Sequence, residues 1–311
     1  MGTEETVAQH YTHGALERAV LDALRAAGKD PDRLEPGDLA PVDEFHIGGR
    51  QATVDFAGEL RATRGMHLLD IGSGLGGASR YFAHALGCMV TGIDLTEEYV
   101  QVVQALSVRT GLAGQVSYRH GSALALPFPA GTFDGAYMLH VGMNIADKAA
   151  LFAQVRQALK PRSVFGVYDV MRESEGALGY PVPWAGSAET SFVESSATYA
   201  RLLAAAGFEV LAQRSRREFA ITFFRETARA HGAERRAAPR AASSHGRDDP
   251  PEDRQHGERH RGRAHLADGD HLPGRGMTGK SRPGFVVMSA ARRRSGCGLR
   301  GNAPSTRWSP N

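Results

Sequence analysis

Between His67 and Gly77 the chain reads His-Leu-Leu-Asp-Ile-Gly-Ser-Gly-Leu-Gly-Gly, an apolar run entering a turn of nearly bare backbone. Gly72, Ser73, Gly74 and Gly76 let a ligand approach main-chain atoms closely, and the text that follows is helical, so a helix N-terminus faces the same place. Two carboxylates flank this turn. Asp70 stands two residues before Gly72, and Asp94 lies 22 residues after Gly72, at the end of the next β-branched run. Gly72, Gly74 and Gly77 satisfy G-x-G-x-x-G and Asp94 sits where a dinucleotide fold holds its ribose, so the glycines alone leave the ligand open. Asp70 discriminates: a carboxylate there repels a pyrophosphate and suits a ligand that carries an ammonium and a sulfonium.

S-adenosylmethionine is such a ligand, and its ribose diol calls for an acceptor pair that Asp94 supplies through both carboxylate oxygens. The competing role for Asp94 is to cap the helix that starts near Thr96. Further on come Gly121-Ser122-Ala123-Leu124-Ala125-Leu126-Pro127-Phe128 and then Gly131-Thr132-Phe133-Asp134. With these segments in order, the chain resembles the class I S-adenosylmethionine-dependent methyltransferases of small-molecule type, the methyltransferase type 11 domain, from about Glu44 to Phe224. It looks nearest to the ubiquinone/menaquinone C-methyltransferases and the sarcosine and dimethylglycine N-methyltransferases. The resemblance implies cofactor contacts at Asp70, Gly72, Ser73, Gly74, Gly76, Asp94, Leu95, Ser122, Ala123 and His140. It also implies that His46-Ile47-Gly48-Gly49 caps the cofactor side and that His140 to Asn144 border the methyl donor. Many such relatives have Asp where Ser122 stands, to hold the adenine amino group; the uncharged Ser122 predicts weaker adenine binding or binding through backbone groups and Ala123.

His140 and His46 are the candidate catalytic residues, for presenting the acceptor or taking its proton; the rival reading is a pair of hydrogen-bonded core histidines. Tyr180 to Trp184 fall in an insertion suited to a substrate lid or to a rigid surface loop. No metal site is expected. His256, His260, His265 and His271 are loosely spaced, and no cysteine or carboxylate order around them matches a ligand pattern.

The elements that must position these residues follow from periodicity. Val7, Leu16, Val20, Leu21 and Leu24 predict one N-terminal amphipathic helix stopped at Gly28, and Asp30 to Asp43, with three prolines, predicts a linker. A second helix runs to about Ala62. Strands are expected at Met66–Ile71, Cys88–Asp94, Val116–Tyr118, Phe133–Leu139, Ser163–Met171 and Phe208–Gln213, with helices over 74–86, 96–110, 146–159 and 194–206. Such alternation gives an α/β fold with a doubly wound, mostly parallel sheet, Rossmann-like, whose ligand lies at the C-terminal ends of the strands. The expected organisation is a helical cap (1–62), the S-adenosylmethionine-binding domain (63–231) and a tail (232–311).

The tail differs in kind. Residues 1–231 hold 21 Lys and Arg against 26 Asp and Glu, whereas 232–311 hold 16 against 8, so the basic character belongs to the tail. Its Leu, Ile, Val and Phe total six. That is too little apolar surface to offset the ordering entropy, so a disordered tail is predicted, and the island Phe285–Met288 is too short to change that. Arg, Ala, Gly and Pro dominance is also what a GC-rich gene yields out of frame, which makes the tail a candidate frameshift product. Its Arg clusters, Arg259 to Arg263 and Arg292 to Arg294, lack interleaved aromatics and offer only salt-sensitive phosphate attraction, so nucleic acid is not the expected partner. Cys88 and Cys297 cannot build a disulfide framework, and no run of eighteen apolar residues predicts a membrane span. The N-terminus lacks the features of a signal or transit peptide, which favours the cytoplasm.

The expected activity is methyl transfer from S-adenosylmethionine to a small-molecule acceptor: an amine, quinol or phenol. The alternatives are a catalytically impaired cofactor-binding protein whose sheet lacks its last strand and a nonspecific nucleic-acid binder acting through the basic tail.

Overall fold

The computed structural model describes residues 2–237 and 284–293, with side chains through Arg229. The chain opens with four helices, α1 (Thr3–Tyr11), α2 (Leu16–Ala26), α3 (Ala40–Asp43) and α4 (Gly49–Leu60). It then alternates: β1 (His67–Ile71), α5 (Gly77–Leu86), β2 (Met89–Asp94), α6 (Glu97–Arg109), β3 (Val116–His120), β4 (Phe133–Leu139), α7 (Lys148–Ala158), β5 (Leu159–Met171), α8 (Ser196–Ala205), β6 (Phe208–Val210), β7 (Arg214–Ser215), α9 (Arg217–Ala237) and β8 (Gly284–Arg293).

The sheet runs β3-β2-β1-β4-β5-β8-β6, with β7 also paired to β8. The first five strands of that order are mutually parallel, and β8 is antiparallel to both β5 and β6. Strand order reverses at β1, between β2 and β4, and the crevice at that switch point is where such sheets bind ligands. Side-chain alternation along β1 explains why Asp70 can be there. Leu69 and Ile71 face a core with Phe133, Leu151, Phe152 and Phe165, while Leu68 faces one with Phe56, Phe82, Tyr137 and Tyr168. Leu68, Leu69 and Ile71 are fully buried, each contributing ~1.5–3 kcal/mol by transfer from water, which fixes the strand on both faces.

The cap is more broken than the sequence suggests. The single N-terminal helix is two, α1 and α2, separated at Gly14, whose φ of 77° takes the chain into the left-handed region. Glu98 at the start of α6 holds the break by accepting the His13 and Leu16 amides at 2.6 and 3.0 Å. The expected linker 30–43 is also structured: Pro36–Leu39 forms a 3-10 turn that leads into α3, and Leu34 and Leu39 bury against α2 and α6. Asp43, at the end of α3, pairs with Arg80 of α5 at 2.7 Å, with both side chains wholly buried. That ion pair fastens the cap to the helix leaving the Gly-rich turn.

Two pieces of the stretch expected to be disordered have regular structure. Residues 232–237 complete α9, and 284–293 form β8 between β5 and β6, with Phe285 opposite Val170 and Val287 opposite Tyr168. An apolar island too short to stand alone is here hydrogen-bonded along two neighbours, a pairing that local sequence cannot reveal. The slot beside β5 is therefore filled, which corrects the reading of a sheet lacking its last strand. Residues 238–283 and 294–311, including the tail histidines, Cys297, Arg294 and Arg259 to Arg263, lie outside the described residues. Among the described residues no helix is long and apolar enough to cross a membrane.

Candidate active site

A cavity of about 1280 Å³ opens above the C-terminal ends of β1, β2 and β4, roofed by α1 and the 43–46 segment. A single drug-sized ligand occupies a pocket of about 300–1,000 Å³, so this one has room for a cofactor and an acceptor together. Asp70, Gly72, Ser73, Gly74, Asp94, Leu95 and Ala123 line it, as do His46 and His140. Two expected contacts do not. Gly76 is the left-handed residue (φ 75°) that starts α5, and a Cβ there would meet Val103 and the Tyr118 hydroxyl at 2.4 and 2.6 Å, so its role is packing. Ser122 stands outside the lining, with its hydroxyl hydrogen-bonded to Glu4 of α1.

The Gly-rich turn spends its own donors. The amides of Gly72 and Ser73 both bond to Ile93 O at 2.8 and 3.1 Å, that of Gly74 to Asp94 Oδ2 at 2.8 Å, and that of Gly76 to Ser73 O at 2.8 Å. Four amides that a phosphate would need are consumed internally. Gly72, at φ 67°, also touches Val141 so closely that a Cβ would lie 2.4 Å from its methyl. The turn therefore packs directly on the segment that carries His140.

Asp94 combines the two roles weighed for it. Its Oδ1 accepts the Thr96 amide at 2.9 Å and its Oδ2 the Gly74 amide, so it ties the turn to α6 while still facing the cavity. The Thr96 side chain bonds to it as well, and of about four lone-pair sites the carboxylate keeps acceptor capacity toward a diol. Asp70 is buried, its Oδ2 accepting from Ser79 at 2.6 Å and Tyr137 at 3.0 Å; burial outweighs these bonds and pushes its pKa up to about 7. The described lining contains Glu4, Asp43, Glu44, Asp70 and Asp94 but no Lys or Arg, which makes the cavity attractive to cations.

The two histidines come together, ring centroids 6.0 Å apart, with Tyr168 4.9 Å from His140. His140 holds a φ of 54°, a conformation costing about 1–3 kcal/mol in a non-glycine residue, and donates its amide to Tyr168 O at 2.7 Å. Its Nε2 is buried with no hydrogen-bond partner. Burial, reinforced by His46, drops its pKa to about 3, and His46 falls to about 4, mainly by burial. Both rings are neutral at pH 7. His46 Nε2 lies 3.1 Å from Gly49 O, so its proton belongs there and Nδ1 is the basic nitrogen.

Several lining residues escaped sequence reasoning. Glu44, raised to about 7 chiefly by burial, accepts from Thr53 at 2.7 Å and pairs with Arg50 at 3.0 Å, backing His46. Tyr11 donates to Asn144 Oδ1 at 3.1 Å, and Asn144 donates in turn to Trp184 O at 2.8 Å. Asn144 was expected here as part of the His140 to Asn144 segment, whereas Tyr11 was not. Of the Tyr180–Trp184 segment, Pro183 and Trp184 reach the cavity while Tyr180 packs against the cluster of Val170, Trp184 and Val193.

Residues 69–167 match the family model described as a methyltransferase domain. The chain carries a methyltransferase domain. The turn, Asp94 and His140 all fall inside the matched segment of this domain. Among curated relatives, the chain is 29% identical over 177 residues to the O-methyltransferase cnsE of Penicillium expansum, covering 48% of this chain and 64% of that one. It is 30% identical over 105 residues to the sterol 24-C-methyltransferase ERG6B of Gibberella zeae, covering 34% and 28%. The chain thus spans less than two thirds of the length of these relatives. Among solved structures, the (4+2)-cyclase SpnF aligns at a TM-score of 0.60 and 19% identity over 93% of this chain and 96% of that one, a likeness of fold.

Proposed function

We propose that the methyltransferase domain binds S-adenosylmethionine at the sheet end of the cavity and methylates a neutral, largely apolar small molecule bearing a hydroxyl, held at the other end. The carrying observation is the charge and donor inventory of the crevice: the turn amides are spent on Ile93, Asp94 and Ser73, and the described lining is acidic without Lys or Arg. Such a crevice suits a sulfonium–ammonium ligand and offers a pyrophosphate little. Asp70 faces the ammonium, Asp94 the ribose diol, and Leu95 and Ala123 flank the base. When bound, this cofactor supplies a methyl group already activated for displacement, so the protein's work is alignment and exclusion of water.

The acceptor class follows from the opposite lobe. Leu139, Val141, Met143, Ile145, Pro183 and Trp184 present an apolar surface, and the same lack of cationic lining leaves an anionic acceptor without a counter-charge. The O-methyltransferase and sterol-methylating relatives carry names that fit bulky, weakly polar acceptors. Because burial keeps it neutral, His140 offers the lone pair of its unpartnered Nε2, as the Nδ1–H tautomer, to the acceptor's hydroxyl and takes that proton as the oxygen is alkylated. His46, braced by Glu44 and Thr53, is the neighbouring ring and adds a lesser contribution to the burial that keeps His140 uncharged. A reducing, cytoplasmic setting accords with Cys88, a buried free thiol.

Calorimetry with S-adenosylhomocysteine and NADH, followed by turnover on a panel of phenols, quinols and amines, tests this reading. Binding of the first ligand alone and transfer to phenolic acceptors are expected. His140→Ala should cut kcat on phenols by about 100-fold, with cofactor affinity within about threefold of the native value. NADH binding with S-adenosylhomocysteine ignored would overturn it, because a shared fold does not by itself assign a chemistry.

A further inference from the structure

The base end of the cavity poses a problem that the fold answers from far away in sequence. The loop after β3 is fixed to the ribose end by the Gly121 amide, which bonds to Asp94 O at 2.9 Å. Ser122, next on that loop, has no free hydrogen to give or spare geometry to aim: its Oγ accepts the Leu124 amide at 3.0 Å and its hydroxyl donates to Glu4 Oε1. Glu4 belongs to α1 and itself lines the cavity, together with Thr3, Val7 and Tyr11. The neighbouring glutamate is otherwise engaged, since Glu5 accepts the Gly2 amide at 2.8 Å and caps the helix.

The other carboxylates of the lining bond to other elements, although Asp43 keeps a buried Oδ1 without a partner. Asp43 pairs with Arg80, Glu44 with Thr53 and Arg50, and Asp70 with Ser79 and Tyr137, while Asp94 serves the turn. Glu4 is the lining carboxylate that bonds to the loop after β3, and it has acceptor capacity to spare, because a carboxylate has about four lone-pair sites and Ser122 occupies one. An aminopurine seated beyond Asp94 presents an exocyclic amine that needs such an acceptor.

Resting on the cofactor reading above, we propose that Glu4 receives the exocyclic amine of the bound adenine, with Ser122 steering its carboxylate. The helix that covers the cavity thereby also completes recognition of the base. A loop residue without charge and a lid residue with charge together do what one acidic loop residue would do alone. The arrangement makes base recognition conditional on α1 lying closed, held there by Tyr11 on Asn144 and Ser122 on Glu4.

The test compares the affinity of the full chain for S-adenosylhomocysteine and for S-inosylhomocysteine, which carries a 6-oxo group in place of the amine. The native protein should prefer the amine by about tenfold or more, as a charge-assisted hydrogen bond is replaced by two opposed acceptors. Glu4→Ala should bring the two affinities within about twofold by weakening the first. Glu4→Gln, whose amide can both accept and donate, should bring them together by strengthening the second. Glu5→Gln, one residue away, should leave the native ratio intact. If native protein binds S-adenosylhomocysteine and Glu4→Ala weakens both ligands equally or neither, Glu4 is no more than a pin for the helix and the proposal falls alone. If native protein binds neither ligand, the cofactor assignment falls first and takes this one with it.

Discussion

The wall of the cavity that belongs to the sheet is shaped by backbone: Gly72, Ser73 and Gly74 bond to Ile93 and Asp94, and the whole segment lies between His67 and Asp94. The facing wall is shaped by side chains that meet from remote parts of the chain, Tyr11 on Asn144, Asn144 on Trp184, and Ser122 on Glu4, with the more local Thr53 on Glu44 beside them. The first is a continuous, rigid template and the second a set of individually weak ties. The contrast suggests a division of labour in which the sheet wall fixes the cofactor and the cap wall decides when the site is closed and what enters beside it.

The strongest link between the walls is Arg80 with Asp43. Arg80 also donates to Ser107 at 3.3 Å and to Leu75 O, at the end of the turn, so one buried cation serves both sides. Arg80→Met should lower unfolding free energy by ~3–5 kcal/mol, because it strands the Asp43 carboxylate without a partner. Pairing it with Asp43→Leu should recover part of that loss, since no unpaired charge then remains. Urea unfolding of the two variants decides the point. A single-variant loss below about 1 kcal/mol would mean that the walls are held together by packing alone.

This asymmetry also accounts for what the sequence disclosed. The glycine turn, Asp70, Asp94 and the alternation of strands were readable because each is encoded within about one βαβ unit, where spacing and periodicity determine geometry. His140 was readable as a residue at a strand end, although not the left-handed backbone that aims it. The break at Gly14, the burial of Leu34 and Leu39, the Glu44–Thr53–His46 cluster and the Tyr11–Asn144 bond depend on partners supplied by folding. β8 is the sharpest case. Its four-residue apolar island says little until β5 and β7 pair with it from either side.

A second test sharpens the electrostatic half of the comparison. With its pKa raised to about 7 by burial, Asp70 is partly protonated in the empty site at neutral pH, and Asp94 nearby pushes in the same direction. A cationic ligand favours the carboxylate, so binding releases the proton. Affinity for S-adenosylmethionine should therefore climb by up to about tenfold per pH unit as pH approaches 7 from below and level off above it. The sign for stability is opposite: since the unfolded carboxyl titrates near pH 4, the empty protein loses stability as pH rises from about 4 through 7. Asp70→Asn should flatten the affinity profile, leaving only the part due to Glu44 and Asp94. An unchanged slope by calorimetry would remove Asp70 from the ammonium site.

The smallest expected effect probes a single tie of the cap wall. Tyr11→Phe keeps the ring between α1 and Tyr99, where the two rings lie 6.1 Å apart, and removes only the hydroxyl that donates to Asn144. Asn144 stays anchored because its amide still donates to Trp184 O and Thr190 O. The loss is therefore one partly buried hydrogen bond, worth ~1 kcal/mol, and it falls on the opening of α1 rather than on the floor of the site. Amide hydrogen exchange in α1 should quicken about fivefold while that in β1 and β4 stays as in the native protein. Equal acceleration in both places would show that the cap and the sheet open as one unit, and the distinction between a fixed wall and a closing one would not survive.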